Sequence, residues 1–84
     1  MSPVEGAFKF TYSIDKITGE PTERHFRRKG DLLTVLHLKE GHSMLIQYKD
    51  GSGTLRTSRV EEILEDEDLI IETLNTYYRF DRVE

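Results

Sequence analysis

Hydrophobic and polar positions alternate along much of this chain, and the apolar runs are cut by turn signals too closely spaced for ordinary helices. That spacing is the mark of antiparallel strands. From Ala7 to Ile14, the residues Phe8, Phe10, Tyr12 and Ile14 alternate with Lys9, Thr11 and Ser13, so one face is aromatic and buried and the other wet. Asp15 to Pro21 is a polar turn. Thr22 to Lys29 has Phe26 as its single apolar residue and reads as a return strand at a sheet edge, where charge discourages pairing with other chains. Leu32 to Leu38, LLTVLHL, is almost continuously apolar. The β-branched Thr34 and Val35 and the strand-like length favour a central strand covered on both faces over a short helix.

The remaining elements are organised by Ser43 to Phe80. Met44, Ile46 and Tyr48 line one face of a strand, and Lys49-Asp50-Gly51-Ser52-Gly53 turns it back into Thr54 to Thr57, glycine accepting the positive φ that hairpin turns demand. Ser58-Arg59-Val60-Glu61 fits a capping box, and Val60, Ile63 and Leu64 share a helical face, which predicts one or two turns of helix between Arg59 and Glu65. Leu69 to Leu74 and Thr76 to Val83 close the chain as a hairpin through Asn75-Thr76, with Tyr78 and Phe80 on one face. The predicted core is Phe8, Phe10, Tyr12, Leu36, Leu38, Ile46, Leu55, Val60, Ile63, Leu69, Ile71 and Phe80.

The pattern therefore predicts a mainly β fold, a small antiparallel barrel or β-roll of six to seven short strands, SH3-like in size, with at most one short helix near 58–65. A curled sheet encloses its own core and reduces open edges. Residues 7–84 form a single domain, and residues 1–6, with Pro3 and Gly6 as breakers, read as a flexible tail. The order D-G-x-G-x-L-x-T-S-x-V over Asp50 to Val60, followed by T-x-N-T-x-Y over Thr73 to Tyr78, resembles a pattern of small bacterial and phage β proteins without a family name. The resemblance spans less than half of the chain. It implies a β architecture and brings no activity, cofactor or functional residue.

Composition narrows the function classes. The 84 residues allow one core, and a domain of this size buries only about 60% of the surface its unfolded chain exposes. There is no cysteine, which removes disulfides and thiolate metal sites and points to a reducing, cytoplasmic home. No apolar stretch is long enough to span a bilayer, and the start of the chain lacks the charged and apolar regions of an export signal. Formal net charge is −4, which weighs against general nucleic-acid binding. That average hides two opposite clusters. Arg24, His25, Arg27, Arg28 and Lys29 are nearly contiguous, and so are Glu61, Glu62, Glu65, Asp66, Glu67 and Asp68.

The candidate sites follow from these clusters. Arg24, His25, Phe26, Arg27, Arg28 and Lys29 are the candidate binding residues, since a basic strand carrying an aromatic tracks a phosphate backbone and stacks a base in small barrels. The plainer reading is a charge-guarded edge with Phe26 in the core. The acidic run 61–68 imitates nucleic-acid phosphate toward a basic partner, or is a solvated surface. His37, His42 and His25 lack a spacing that enforces metal convergence, and the Gly51 and Gly53 loop leads into a strand rather than the helix a phosphate loop needs. No metal or other cofactor is expected, and no catalytic constellation is found. The leading reading is a small non-enzymatic interaction module that binds a macromolecular partner, most simply a protein, through a strand edge or charged patch. The alternatives are a single-stranded nucleic-acid-binding barrel using 24–29 and an acidic mimic of nucleic acid using 61–68. Self-association suits each of these, because a small sheet gains burial in a two-fold dimer.

Overall fold

The computed structural model describes residues 7–83, so the expected tail at 1–6 lies outside the described residues. Six antiparallel strands follow one another around a closed ring: β1 (Ala7–Asp15), β2 (Leu32–His37), β3 (Ser43–Tyr48), β4 (Thr54–Glu65), β5 (Leu69–Thr73) and β6 (Thr76–Val83). Pairing of β1 with β6, from Ala7↔Val83 to Asp15↔Thr76, closes the ring. The fold is thus the small β-barrel that the alternation predicts. One short helix, α1 (Glu23–Arg28), sits between β1 and β2.

A barrel this small must bend its strands sharply, and the register shifts where it does. In β1 the shift falls between Phe10 and Tyr12. An inserted residue reverses which face each later side chain takes. Phe8 and Phe10 are fully buried, but beyond the shift it is Ser13 that points inward, while Tyr12 and Ile14 are only half-buried. A second shift between Val35 and His37 does the same to β2. Leu33 and Val35 face the core, Leu32 and Leu36 face water, with Leu36 47% exposed, and Leu38 returns to the interior. The expectation of a strand covered on both faces is therefore corrected. A single closed sheet has one inside, so its strands have one buried face each.

The helix expected near 58–65 is absent, and β4 runs unbroken through it. Val60 and Ile63 are three apart, which suits a helical stripe, but a shift between Val60 and Glu62 gives the same inward positions on a bulged strand. The strand satisfies its backbone twice, against β3 in its first half and β5 in its second. Ser58 caps nothing. Its carbonyl accepts the Thr57 hydroxyl at 2.7 Å, and that hydroxyl oxygen accepts the Met44 N–H at 3.0 Å, tying the bend in β4 to β3.

The expected edge strand at 22–29 is likewise corrected, to helix α1. Thr22 is its N-cap, accepting the His25 N–H through Oγ1 at 3.3 Å, with Glu23 in the first turn and Arg27 and Arg28 in the last, the arrangement the helix dipole favours. The inward side of Ser13 meets this cap, its hydroxyl hydrogen-bonded to that of Thr22. Gly30, at φ +90°, then turns the chain into β2.

The interior holds Phe8, Phe10, Leu38, Ile46, Leu55, Val60, Leu69, Ile71 and Phe80 as expected, joined by Leu33, Val35, Met44, Tyr48 and Tyr78. Tyr12 and Leu36 are not part of it, and Ile63 packs against its rim. Phe10 anchors an aromatic cluster, its ring centroid 5.5 Å from that of Phe80 and 6.4 Å, edge-on, from that of Tyr78.

Candidate functional site

Because residues 23–28 are helical, the basic cluster does not run along a strand. A helix turns about 100° per residue, so neighbours in sequence are sent to different sides. Arg24, His25 and Arg28 are half-buried, while Phe26, Arg27 and Lys29 face outward. The structure therefore divides the six candidate residues into an inner and an outer set.

The inner set fastens the helix to the end of the barrel. The Arg28 guanidinium donates to Ser52 Oγ at 2.7 Å and to Asp31 Oδ2 at 3.2 Å, and lies 3.6 Å from Asp50. It also stacks 3.9 Å above the Tyr48 ring. The β3–β4 turn is shaped to receive it: Gly51 takes φ +80°, and Ser52 donates its N–H to Asp50 Oδ1 at 2.8 Å. Hydrogen bonds from Ser52, with a smaller contribution from Arg28, hold the Asp50 carboxyl below its ordinary pKa. Burial pushes the Tyr48 and Tyr78 phenols up, and the nearby charge of Arg24 opposes that rise in both. Beneath α1, Tyr48 Oη and His25 Nδ1 are buried without a hydrogen-bond partner among the described residues.

The outer set is a small platform. Phe26 is 74% exposed, its ring edge-on to His25 at 5.3 Å. Arg27 flanks it, loosely paired with Glu23 at 3.9 Å, and Lys29 follows at the C-cap. No residue of α1 is buried, so the helix is held by its caps and by Arg28 rather than by a hydrophobic face.

The acidic run is not one continuous surface. Glu61, Glu62 and Glu65 lie on β4, and Asp66, Glu67 and Asp68 form the turn into β5. Arginines meet several of them: Arg59 reaches Glu61 at 3.3 Å, Arg82 reaches Glu65 at 3.3 Å, and Arg79 bridges Asp68 at 2.6 Å and Asp81 at 3.1 Å. The open cleft there, lined by Lys9, Glu67, Asp68, Asp81, Arg82 and Val83, carries both signs of charge. His37 and His42 come together at 5.4 Å between ring centroids, and among the described residues no third ligating side chain joins them.

A further surface comes only from strand register. On the outside of β4, β5 and β6, Glu62, Leu64, Ile70, Glu72 and Tyr77 line a shallow groove of about 60 Å³. Leu64 pairs with Ile70 and Glu62 with Glu72 across the β4–β5 ladder, and Glu72 with Tyr77 across the next. Leu64 is 55% exposed. At its rim, Lys16 Nζ bonds Glu72 Oε2 at 2.6 Å and the Thr73 carbonyl at 3.1 Å, 5.5 Å from the centre of the Tyr77 ring. The signal for this groove was present as outward alternate positions, but which strands adjoin is not written in any one of them.

Among the described residues, no helix is long and apolar enough to cross a membrane. Comparison with family models, with curated proteins and with solved structures found no match to this chain.

Proposed function

We propose that this protein is a small non-enzymatic interaction module that binds a protein partner through the outer face of α1. Phe26 is the apolar anchor, and Arg27 and Lys29 select an acidic rim around the pocket that receives it. The observation that carries this reading is an aromatic ring 74% exposed on a helix whose other side is fastened down. An anchor held in place loses little conformational freedom on binding, and aromatic and arginine side chains dominate interface energetics. Closure of the ring, with β1 paired to β6, favours the charged patch over a strand edge as the contact. Nucleic acid is the competing ligand. It is disfavoured because Arg28 is engaged within the fold, which leaves α1 few outward cations to follow a phosphate backbone.

A photo-cross-linking phenylalanine analogue at position 26, irradiated in extract of the native cell, tests the reading. The expected result is a protein adduct whose purified partner binds the wild type and loses affinity for Phe26→Ala. Absence of any protein adduct, or salt-sensitive binding of labelled RNA or single-stranded DNA by anisotropy, would overturn it.

A further inference from the structure

Two outward surfaces of this barrel with exposed apolar side chains carry opposite charge. On α1, Phe26 is flanked by Arg27 and Lys29; in the groove across β4, β5 and β6, Leu64, Ile70 and Tyr77 are flanked by Glu62 and Glu72. Both surfaces leave large side chains in water, with Phe26 74% and Leu64 55% exposed. Glu62 and Glu72 stand directly opposite each other in register, a pairing of like charges that Lys16 relieves at Glu72, which leaves Glu62 as the carboxylate of the groove for an incoming cation. Lys16 already shows which chemistry the groove accepts, an ammonium on Glu72 beside the Tyr77 ring.

We infer that a second copy of this chain is a partner of α1, its acidic apolar groove receiving Phe26 while Arg27 meets Glu62. The inference rests on the reading of α1 as an interaction surface and names one occupant for it. Charge complementarity is the argument: the acidic rim and apolar floor that α1 calls for are present on the same molecule. The placement allows a closed pair. Both surfaces border the connection between β1 and β2, since Lys16 reaches the groove, Thr22 caps α1, and the stretch between them is folded back by the Asp15 N–H to Glu20 carbonyl bond at 2.9 Å. A two-fold axis beside Ile17, which is 90% exposed, lets each copy give its helix to the other's groove at once.

Sedimentation velocity of the purified protein, from low micromolar to near-millimolar concentration at low and high salt, gives the first test. A dimer that weakens with added salt is expected. Arg27→Glu and Glu62→Arg should each raise the dissociation constant by about tenfold or more, because either change sets like charges in both contacts. Mixing the two variants should restore the dimer, since the mixed pair has one native and one exchanged contact, each of opposite sign. A wild type that stays monomeric, a dimer indifferent to both substitutions, a mixture that stays dissociated, or polymers larger than two would each overturn the inference. The cross-link at position 26 separates this failure from that of the underlying reading. An adduct to another protein with a monomeric wild type removes only the self-pairing, and no protein adduct at all removes both.

Discussion

The Arg28 guanidinium lies 3.9 Å above the ring of Tyr48, joining a helix between β1 and β2 to the last residue of β3. The same side chain reaches Asp31 within its own connection and Ser52 in the β3–β4 turn, so one residue ties two connections together at that end of the barrel. Arg28→Ala should cost about 1–2 kcal/mol in chemical denaturation, the loss of a stacked cation and its hydrogen bonds. Arg28→Lys should recover only part of this, because an ammonium cannot form the planar fork. Amide exchange should accelerate in α1 while the strands stay protected; equal acceleration throughout the barrel would contradict this.

The same corner makes a pH dependence. Asp50 is held below its ordinary carboxylate pKa, first by Ser52 and less by Arg28. Its contribution to stability is present above the unfolded-state carboxylate pKa and is lost as pH falls through the lower folded value. Melting temperatures recorded across the acid range should therefore fall more steeply for the wild type than for Asp50→Asn.

Core substitutions should separate residues that the alternation of the chain places together. Phe10→Ala and Phe80→Ala remove fully buried rings and should cost about 3–5 kcal/mol each. Leu36→Ala should cost less than about 1 kcal/mol, as the side chain is nearly half in water on the outer side of a bulge. A large loss of melting temperature for Leu36→Ala would place that residue inside.

Thr22 does two jobs, capping α1 and partnering the buried hydroxyl of Ser13. Thr22→Ala should cost about 1–3 kcal/mol, combining a lost cap with an unpaired polar group. Ser13→Ala made alone should cost less, since it removes the buried hydroxyl and leaves the cap. Thermal unfolding of the two variants gives the comparison.

Phe26→Ala should leave stability within about 0.5 kcal/mol of the wild type, because the ring packs on little of the barrel. If binding is lost and the melting temperature unchanged, Phe26 acts at an interface. A marked loss of stability would make it part of the packing of α1.

Elements whose local and long-range preferences agree are legible in the order of residues alone. Met44, Ile46 and Tyr48 keep one face because the phase of β3 is unbroken, and Gly51 and Gly53 mark a hairpin because they take φ of +80° and +131°. Mainly antiparallel β structure, one core and the closing hairpin were all legible from such signals. Two stretches carry local signals that point the wrong way, and only the tertiary fold decided them. Ser58 with Glu61 fits a helix start and 22–29 an edge strand, yet 54–65 has strand neighbours on both sides and 23–28 has none in the ring and is helical. Ladder hydrogen bonds shared with β3 and β5 outweigh a single cap. The candidate surfaces depended on the same choice. Helical geometry turned one basic run into an inner clamp and an outer platform, and the registers of β4 with β5 and of β5 with β6 brought Glu62, Glu72 and Tyr77 into one groove. Contacts between residues distant in the chain arise from register and bulge position, which closure of the whole barrel sets and no local window contains.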